Sequence, residues 1–123
     1  MKHLLIIAHG SRREASNHEV LDLAGKVAAQ LQLTVGQVKA AFLELAQPSI
    51  ATALDESFSN GCTEMLVLPY FLASGNHVVS DVPNEVAAAQ QRWPDKKITL
   101  LPHIGAAPSM VNLIANNYHT KDA

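Results

Sequence analysis

Three histidines and one glutamate lie where their side chains could do chemistry, because each follows a run of apolar residues. His9 follows the first run and Glu44 the second; His77 lies in the segment after the third, and His103 follows the fourth. Imidazole and carboxylate groups bind divalent transition metals, and they also move protons near neutral pH. The spacing therefore favours a metal site or acid–base chemistry, provided that the fold brings these residues together.

A metal site built from these residues would be open rather than structural. The sequence has no His-x-His or His-x-x-x-His pair, so the ligands must come from separate loops, and a closed structural site needs a full ligand set. An open site suits an enzyme that binds a metal and then releases it into another ligand. Because imidazole and carboxylate serve as ligand or as base, the sequence leaves open which of His9, His77 and Glu44 has which role.

A candidate anion site follows His9 directly, in the segment Gly10-Ser11-Arg12-Arg13. Backbone N–H groups at the start of a helix, helped by the Ser11 hydroxyl, can hold carboxylate or phosphate groups. Arg12 and Arg13 are poorly suited to the positive end of a helix dipole, and they make more sense facing an anionic ligand. We therefore predict that Gly10, Ser11 and Arg12 contact an anionic substrate.

The elements that must position these residues alternate between apolar runs and segments with helical spacing. Continuous apolar runs are typical of parallel strands covered on both faces, and apolar residues at positions i, i+3, i+4 and i+7 indicate helices. Four strands are predicted, near residues 4–8, 36–43, 65–68 (running on towards 71) and 98–101, each followed by a helix. This (βα)4 pattern predicts an α/β fold with a four-stranded parallel sheet of order 2-1-3-4 and helices on both faces.

The predicted strand order places the candidate residues at one edge of the sheet. Connections leave strands 1 and 3 in opposite directions, and ligands bind at the carboxyl ends of the strands at such a switch point. His9 and His77 are predicted to flank that point, with Glu44 and His103 at the same edge.

Local signals predict where three of the helices begin. Pro48 is expected as the first residue of the second helix, and Asp81 as the cap of the third. Pro108 is expected to open the last helix, whose apolar stripe is Met110, Leu113, Ile114 and Tyr118.

Length and composition predict one globular domain over residues 1–123, with a disordered or loosely attached C-terminus from about residue 119. Apolar residues make up 48% of the chain and charged residues 16%, and the net charge of −2 argues against a nucleic-acid surface. No apolar run approaches the length of a membrane span, so no membrane partner is expected. The apolar run 4–8 is too short for a signal peptide, and the lone Cys62 fits a reducing compartment, so we predict a cytoplasmic protein.

Four motifs occur in order along the chain: His9-Gly10-Ser11-Arg12; Phe42-Leu43-Glu44 with Pro48-Ser49-Ile50; Leu68 to Leu72 with Gly75-Asn76-His77-Val78; and Asp81-Val82-Pro83. With these motifs in register from about residue 3 to residue 115, the sequence resembles the small CbiX-type sirohydrochlorin cobaltochelatases. These belong to the class II chelatases, which insert metal into a tetrapyrrole without ATP.

The resemblance implies a flavodoxin-like chelatase half-domain that pairs as a homodimer, with a tetrapyrrole as substrate and no organic cofactor. The expected reaction is insertion of Co²⁺ into sirohydrochlorin on the route to cobalamin. By motif, His9 and His77 are the metal-binding and catalytic histidines, and Glu44 is their acidic partner. His103 falls where the family pattern does not call for a histidine. The Tyr70-Phe71-Leu72 run is expected to supply apolar interface surface.

Several alternatives stay open at this stage. The metal could instead be Fe²⁺ or Ni²⁺, because affinity in imidazole sites does not fix the physiological choice. A non-catalytic metallochaperone would share the same histidines. A histidine phosphatase needs an arginine directly before its His-Gly, where this chain has Ala8, and a receiver-like domain needs acidic residues that the first and third strand ends lack.

Overall fold

The computed structural model describes residues 1–120, apart from the side chains of His77 and Val78. Its elements are β1 (Lys2–Ala8), α1 (Glu14–Leu31), β2 (Val38–Phe42), α2 (Ile50–Ser59), β3 (Glu64–Pro69), α3 (Val82–Arg92), β4 (Lys97–Leu100) and α4 (Ser109–Thr120). Short 3-10 turns cover Val35–Gln37 and Ile104–Ala106, and a π-helical turn covers His77–Asp81.

The four strands form one parallel sheet in the order β2-β1-β3-β4, which confirms the predicted topology. In this register Ile6 of β1 lies opposite Ala40 of β2 and Leu68 of β3. Because β1 ends at Ala8 and β3 at Pro69, the chain leaves both central strands at the same edge of the sheet. The switch point therefore lies between these two strand ends.

The two faces of the sheet pack against different helices. On one face Leu5 packs with Leu54 of α2 and Val82 of α3. On the other face Ile6 packs with Ala24 of α1. Since β1 buries side chains on both faces, its sequence is apolar almost throughout. This central layer fixes the end of β1, and with it the position of His9.

Some predictions of where elements begin differ from the structure for local reasons. β2 begins at Val38 rather than Gly36, because Val35–Gln37 forms a 3-10 turn closed by a capping box with Thr34. α2 begins at Ile50 rather than Pro48, since the Ser49 hydroxyl accepts the Thr52 N–H at 3.2 Å. Asp81 directly precedes α3, as predicted, but its backbone is helical and its side chain makes no capping hydrogen bond, because the π-helical turn runs directly into α3.

The last helix has the predicted stripe but not the expected packing. α4 contains no buried residue within the described chain, and every position from 111 to 120 is exposed. Its main contact is with the 3-10 turn Ile104–Ala106. Helical spacing of apolar residues predicts an amphipathic helix, but it does not say which surface covers that helix.

α4 ends at Thr120, so the predicted loose C-terminus falls mostly on residues 121–123, outside the described residues. Across residues 1–120, no helix has both the length and the apolar character that crossing a membrane requires.

Candidate active site

His9 and Glu44 meet at the carboxyl edge of the sheet, as the sequence predicted. The His9 Nε2 and Glu44 Oε1 atoms are 3.1 Å apart, with the two side chains 43% and 55% exposed. An ionised carboxylate only accepts, so Nε2–H is the donor, and the neutral ring then carries its lone pair on Nδ1. A carboxylate that holds one ring nitrogen orients the imidazole and makes its other nitrogen a better metal ligand.

The backbone brings these two side chains together by extending the β1–β2 ladder beyond the strands. The Leu43 N–H donates to the Ala8 carbonyl at 3.0 Å, and the Glu44 N–H donates to the His9 carbonyl at 3.1 Å. His9 and Glu44 therefore lie side by side because the two strands are paired, not because a flexible loop happens to bring them close.

Gly10 permits this close approach of the two loops. Its φ is +97°, and a Cβ built on it would lie 1.8 Å from the Glu44 carbonyl oxygen. Any other residue would meet both an unfavourable backbone conformation and a direct clash. The structure thus gives Gly10, predicted as a substrate contact, a role in positioning Glu44 against His9.

The side chain of Asn17 fixes the backbone of Ser11, a role that the sequence does not predict. The Ser11 N–H donates to Asn17 Oδ1 at 2.9 Å, and Asn17 Nδ2 donates to the Ser11 carbonyl at 2.8 Å. The Arg13 N–H donates to the Ser11 hydroxyl at 3.0 Å. The only signal in the sequence is an asparagine one turn into α1, which does not reveal that its amide pairs with both backbone polar groups of Ser11.

These contacts occupy backbone N–H groups that the sequence predicts as donors to an anion. The Ser11 and Arg13 N–H groups both have partners within the chain. Arg12 lies beside them and borders a hollow that is also lined by Glu14, Leu45 and Gln47. Substrate contacts by Gly10, Ser11 and Arg12 stay predictions, and of the three only Arg12 carries a charge that attracts an anion.

His77 and His103 lie at the same edge of the sheet, but only His103 has a described side chain. His77 opens the π-helical turn that follows β3, and its side chain lies outside the described residues, so its role stays a prediction. His103 precedes the 3-10 turn Ile104–Ala106. That turn is held against the loop after β3, because the Gly105 N–H donates to the Phe71 carbonyl at 3.0 Å.

An acidic hollow adjoins Glu44. Among the described side chains, its lining contains three carboxylates, those of Glu44, Asp81 and Glu85, together with Asn84, Leu43 and Ile50, and none that is basic. Asp81 and Glu85 are four residues apart and follow His77 by four and eight. The sequence predicts Asp81 only as a helix cap and gives no role to Glu85, although acidic residues with this spacing on one helix face are a signal for a shared site. A hollow of this charge favours the approach of a cation.

The described side chains do not by themselves complete a metal site. Excluding the His77 side chain, no group of three histidine, cysteine, aspartate or glutamate side chains is close enough to hold an ion. The described side chains provide one histidine–carboxylate pair, whose imidazole can bind a metal or accept a proton.

Fold and site together define a doubly wound α/β domain with a histidine–carboxylate pair beside its switch point. The chain belongs to the CbiX family, whose model matches residues 3–121.

Named relatives act on the same substrate with two different metals. The chain is 28% identical over 116 residues to a sirohydrochlorin ferrochelatase of Bacillus subtilis, covering 94% of this chain and 42% of the relative. It is 33% identical over 97 residues to a sirohydrochlorin cobaltochelatase of Methanococcoides burtonii, covering 79% of this chain and 72% of the relative.

A solved structure has the same fold. It is the sirohydrochlorin chelatase SirB of Bacillus subtilis subspecies spizizenii in complex with cobalt, with a TM-score of 0.80 and 25% identity. The match covers 97% of this chain and 50% of that one. The chain therefore spans about half the length of both Bacillus proteins.

Proposed function

We propose that this chain is a sirohydrochlorin chelatase that inserts Co²⁺ without ATP, on the route to cobalamin. The observation that carries the proposal is the His9–Glu44 pair, 3.1 Å apart at the open carboxyl edge of a CbiX-family domain. An open, half-exposed imidazole held by a carboxylate is suited to binding a metal and releasing it again.

The chemistry of insertion requires an exchange of one divalent cation for two pyrrole N–H protons. In the proposed reaction, the His9 Nδ1 lone pair takes the metal while Nε2–H stays bonded to Glu44, and His77 supplies a second imidazole. As the macrocycle nitrogens take over the metal, the two released protons pass to these imidazoles and to Glu44. Arg12 holds peripheral carboxylates of the macrocycle.

The acidic hollow supports the delivery of the metal to this pair. Glu44 belongs both to the hollow and to the hydrogen bond with His9. A cation drawn towards Glu44, Asp81 and Glu85 therefore arrives beside the imidazole.

The metal can be assigned by a direct comparison. Anaerobic incubation with sirohydrochlorin and Co²⁺, Fe²⁺ or Ni²⁺ in parallel, followed by absorbance, should give the highest kcat/KM with Co²⁺. Fe²⁺ insertion is the second candidate, because the relative matched over 94% of this chain is a ferrochelatase. Faster insertion of Fe²⁺ or Ni²⁺ would reassign the metal but keep the class of enzyme.

The same assay separates an enzyme from a metallochaperone. An enzyme converts many equivalents of sirohydrochlorin per chain, whereas a chaperone delivers at most the metal that it carries. A product yield that stops at one equivalent per chain would overturn the proposed catalysis.

We also propose that the enzyme works as a homodimer in the cytoplasm. One sheet edge offers a single wall to a disc-shaped macrocycle, and ligand sites normally bury most of their ligand's surface. A second copy related by a two-fold axis supplies the other wall. Cys62 is a buried free thiol, which agrees with a reducing compartment.

A further inference from the structure

α4 presents its apolar side away from the rest of its own domain. Val111, Ile114 and Tyr118 follow the spacing i, i+3, i+7, and they are 73%, 64% and 75% exposed. The other side of the helix borders a hollow beside the turn Ile104–Ala106, and the residues of α4 that line it are Ser109, Met110, Asn112, Leu113 and Asn116. Among the described residues, the stripe of Val111, Ile114 and Tyr118 is therefore left uncovered.

This arrangement is unfavourable for an isolated domain. A helix of about 12 residues is marginal in water on its own, so it depends on the burial of an apolar face. Exposed apolar patches of more than a few hundred Å² usually mark interaction sites. The stripe of α4 runs over two turns of the helix, from Val111 to Tyr118. The stability of α4 therefore points to another polypeptide surface.

The charge of α4 favours a second copy of this chain as that surface. Ser109–Thr120 contains no aspartate, glutamate, lysine or arginine. Two copies of a charged helix would repel or bury unpaired charges when they met across a two-fold axis, where each patch faces itself. An uncharged helix with an apolar stripe avoids both costs.

Further apolar residues are exposed in the loop that is tied to the turn before α4. Tyr70 and Leu72 are 42% and 75% exposed in the loop after β3. The Gly105–Phe71 hydrogen bond ties that loop to the turn before α4. The double length of the Bacillus proteins gives a further reason, since each has room for a second unit of this size in one chain.

We propose that α4 is the principal contact of the homodimer, packing against α4 of a second copy with Ile114 at its centre. The inference rests on the homodimer of the proposed function and adds the surface that forms it. It does not depend on which metal is inserted.

The test is sedimentation equilibrium of the full chain, with a matched pair of variants on the same helix. Ile114→Asp places a charge in the stripe, and Asn116→Asp places the same charge on the other side, two residues away. Ile114→Asp should raise the dimer dissociation constant at least about 100-fold, since the symmetry introduces each charge twice. Asn116→Asp should leave the constant within a few-fold of the wild type.

The experiment distinguishes failure of the α4 contact from failure of the homodimer. If Ile114→Asp remains as dimeric as wild type, α4 is not the contact, although the homodimer stands. If wild type is monomeric at micromolar concentration, both the contact and the proposed homodimer are overturned. Metal insertion measured on the same samples tests the chelatase separately, because a dimer without activity would refute the function and keep the interface.

A crosslinking variant covers the case in which Ile114→Asp fails to fold. Under mild oxidation Ile114→Cys should form a covalent dimer, whereas Asn116→Cys should not, and the buried Cys62 leaves both backgrounds unreactive. Covalent dimer from Asn116→Cys and none from Ile114→Cys would contradict the proposal.

Discussion

The two edge strands of the sheet are buried to very different degrees. β2 has four buried residues out of five, whereas β4 has none out of four. The helices explain the difference, because α1 and α2 cover β2 on its two faces, whereas α3 covers β4 on one face and α4 stays exposed. The site belongs to the well-packed side, since Glu44 follows β2 and His9 follows β1. The half-covered side is the one that we propose for the contact with a second copy.

Paired leucine truncations give the sharpest contrast between the two sides. Leu54→Ala removes a fully buried side chain of α2, and it should lower the free energy of unfolding by about 2–5 kcal/mol. Leu113→Ala on exposed α4 should change it by less than about 1 kcal/mol when measured on monomer at high dilution. Chemical denaturation of both variants checks the comparison. Equal losses would mean that α4 is packed within its own chain.

A pair of glycine variants tests the close approach of Gly10 to the Glu44 carbonyl, which positions Glu44 against His9. Gly10→Ala should cost about 2–3 kcal/mol and most of the activity, because the new Cβ meets the Glu44 carbonyl in addition to the strain of a positive φ. Gly61→Ala is the control, since it has a similar φ of +101° but open space around its Cβ. It should cost about 1 kcal/mol with activity retained. Similar behaviour of the two variants would show that the close approach is unimportant.

His3 lies at the opposite end of β1 from the site, and it should have a smaller effect on stability that depends on pH. His3 is buried, and neither ring nitrogen has a hydrogen-bond partner among the described residues. Burial, followed by the charges of Lys39 and the amino terminus, lowers the pKa of His3 below 6.5. The unfolded chain therefore takes up this proton first, so acidification below about pH 6.5 should lower the free energy of unfolding.

Thermal melts at pH 7.5 and pH 5.5 measure that effect. His3→Leu should show a smaller loss of Tm on acidification than wild type, because the buried titrating group is gone. His18→Leu, on the exposed side of α1, should keep the wild-type loss. An unchanged loss in His3→Leu would assign the acid sensitivity to other groups.

The strand order and the edge that carries the site could be predicted from the sequence. Alternating apolar runs and helical stripes fix a (βα)4 topology, and strand ends place His9 and Glu44 at one edge. Such signals are local, and they depend on the period of the pattern rather than on individual contacts.

The features that escaped prediction depend on contacts between distant residues. Asn17 acts through hydrogen bonds to the backbone of Ser11. Glu85 lines the hollow only because the fold brings the start of α3 near Glu44, 41 residues earlier in the sequence. The exposure of α4 was also missed, since a stripe such as that of Ile114 defines a helix face without defining what covers it.

Turnover of the His9 variant tests the proposed active site most directly. We expect His9→Ala to lower kcat/KM for Co²⁺ insertion into sirohydrochlorin at least about 100-fold, with an unchanged melting temperature, because a half-exposed loop side chain contributes little to stability. His103→Ala, at the same edge but outside the pair, should keep most of the activity. Wild-type turnover in His9→Ala, or an equal loss in His103→Ala, would contradict the assignment of the His9–Glu44 pair as the catalytic centre.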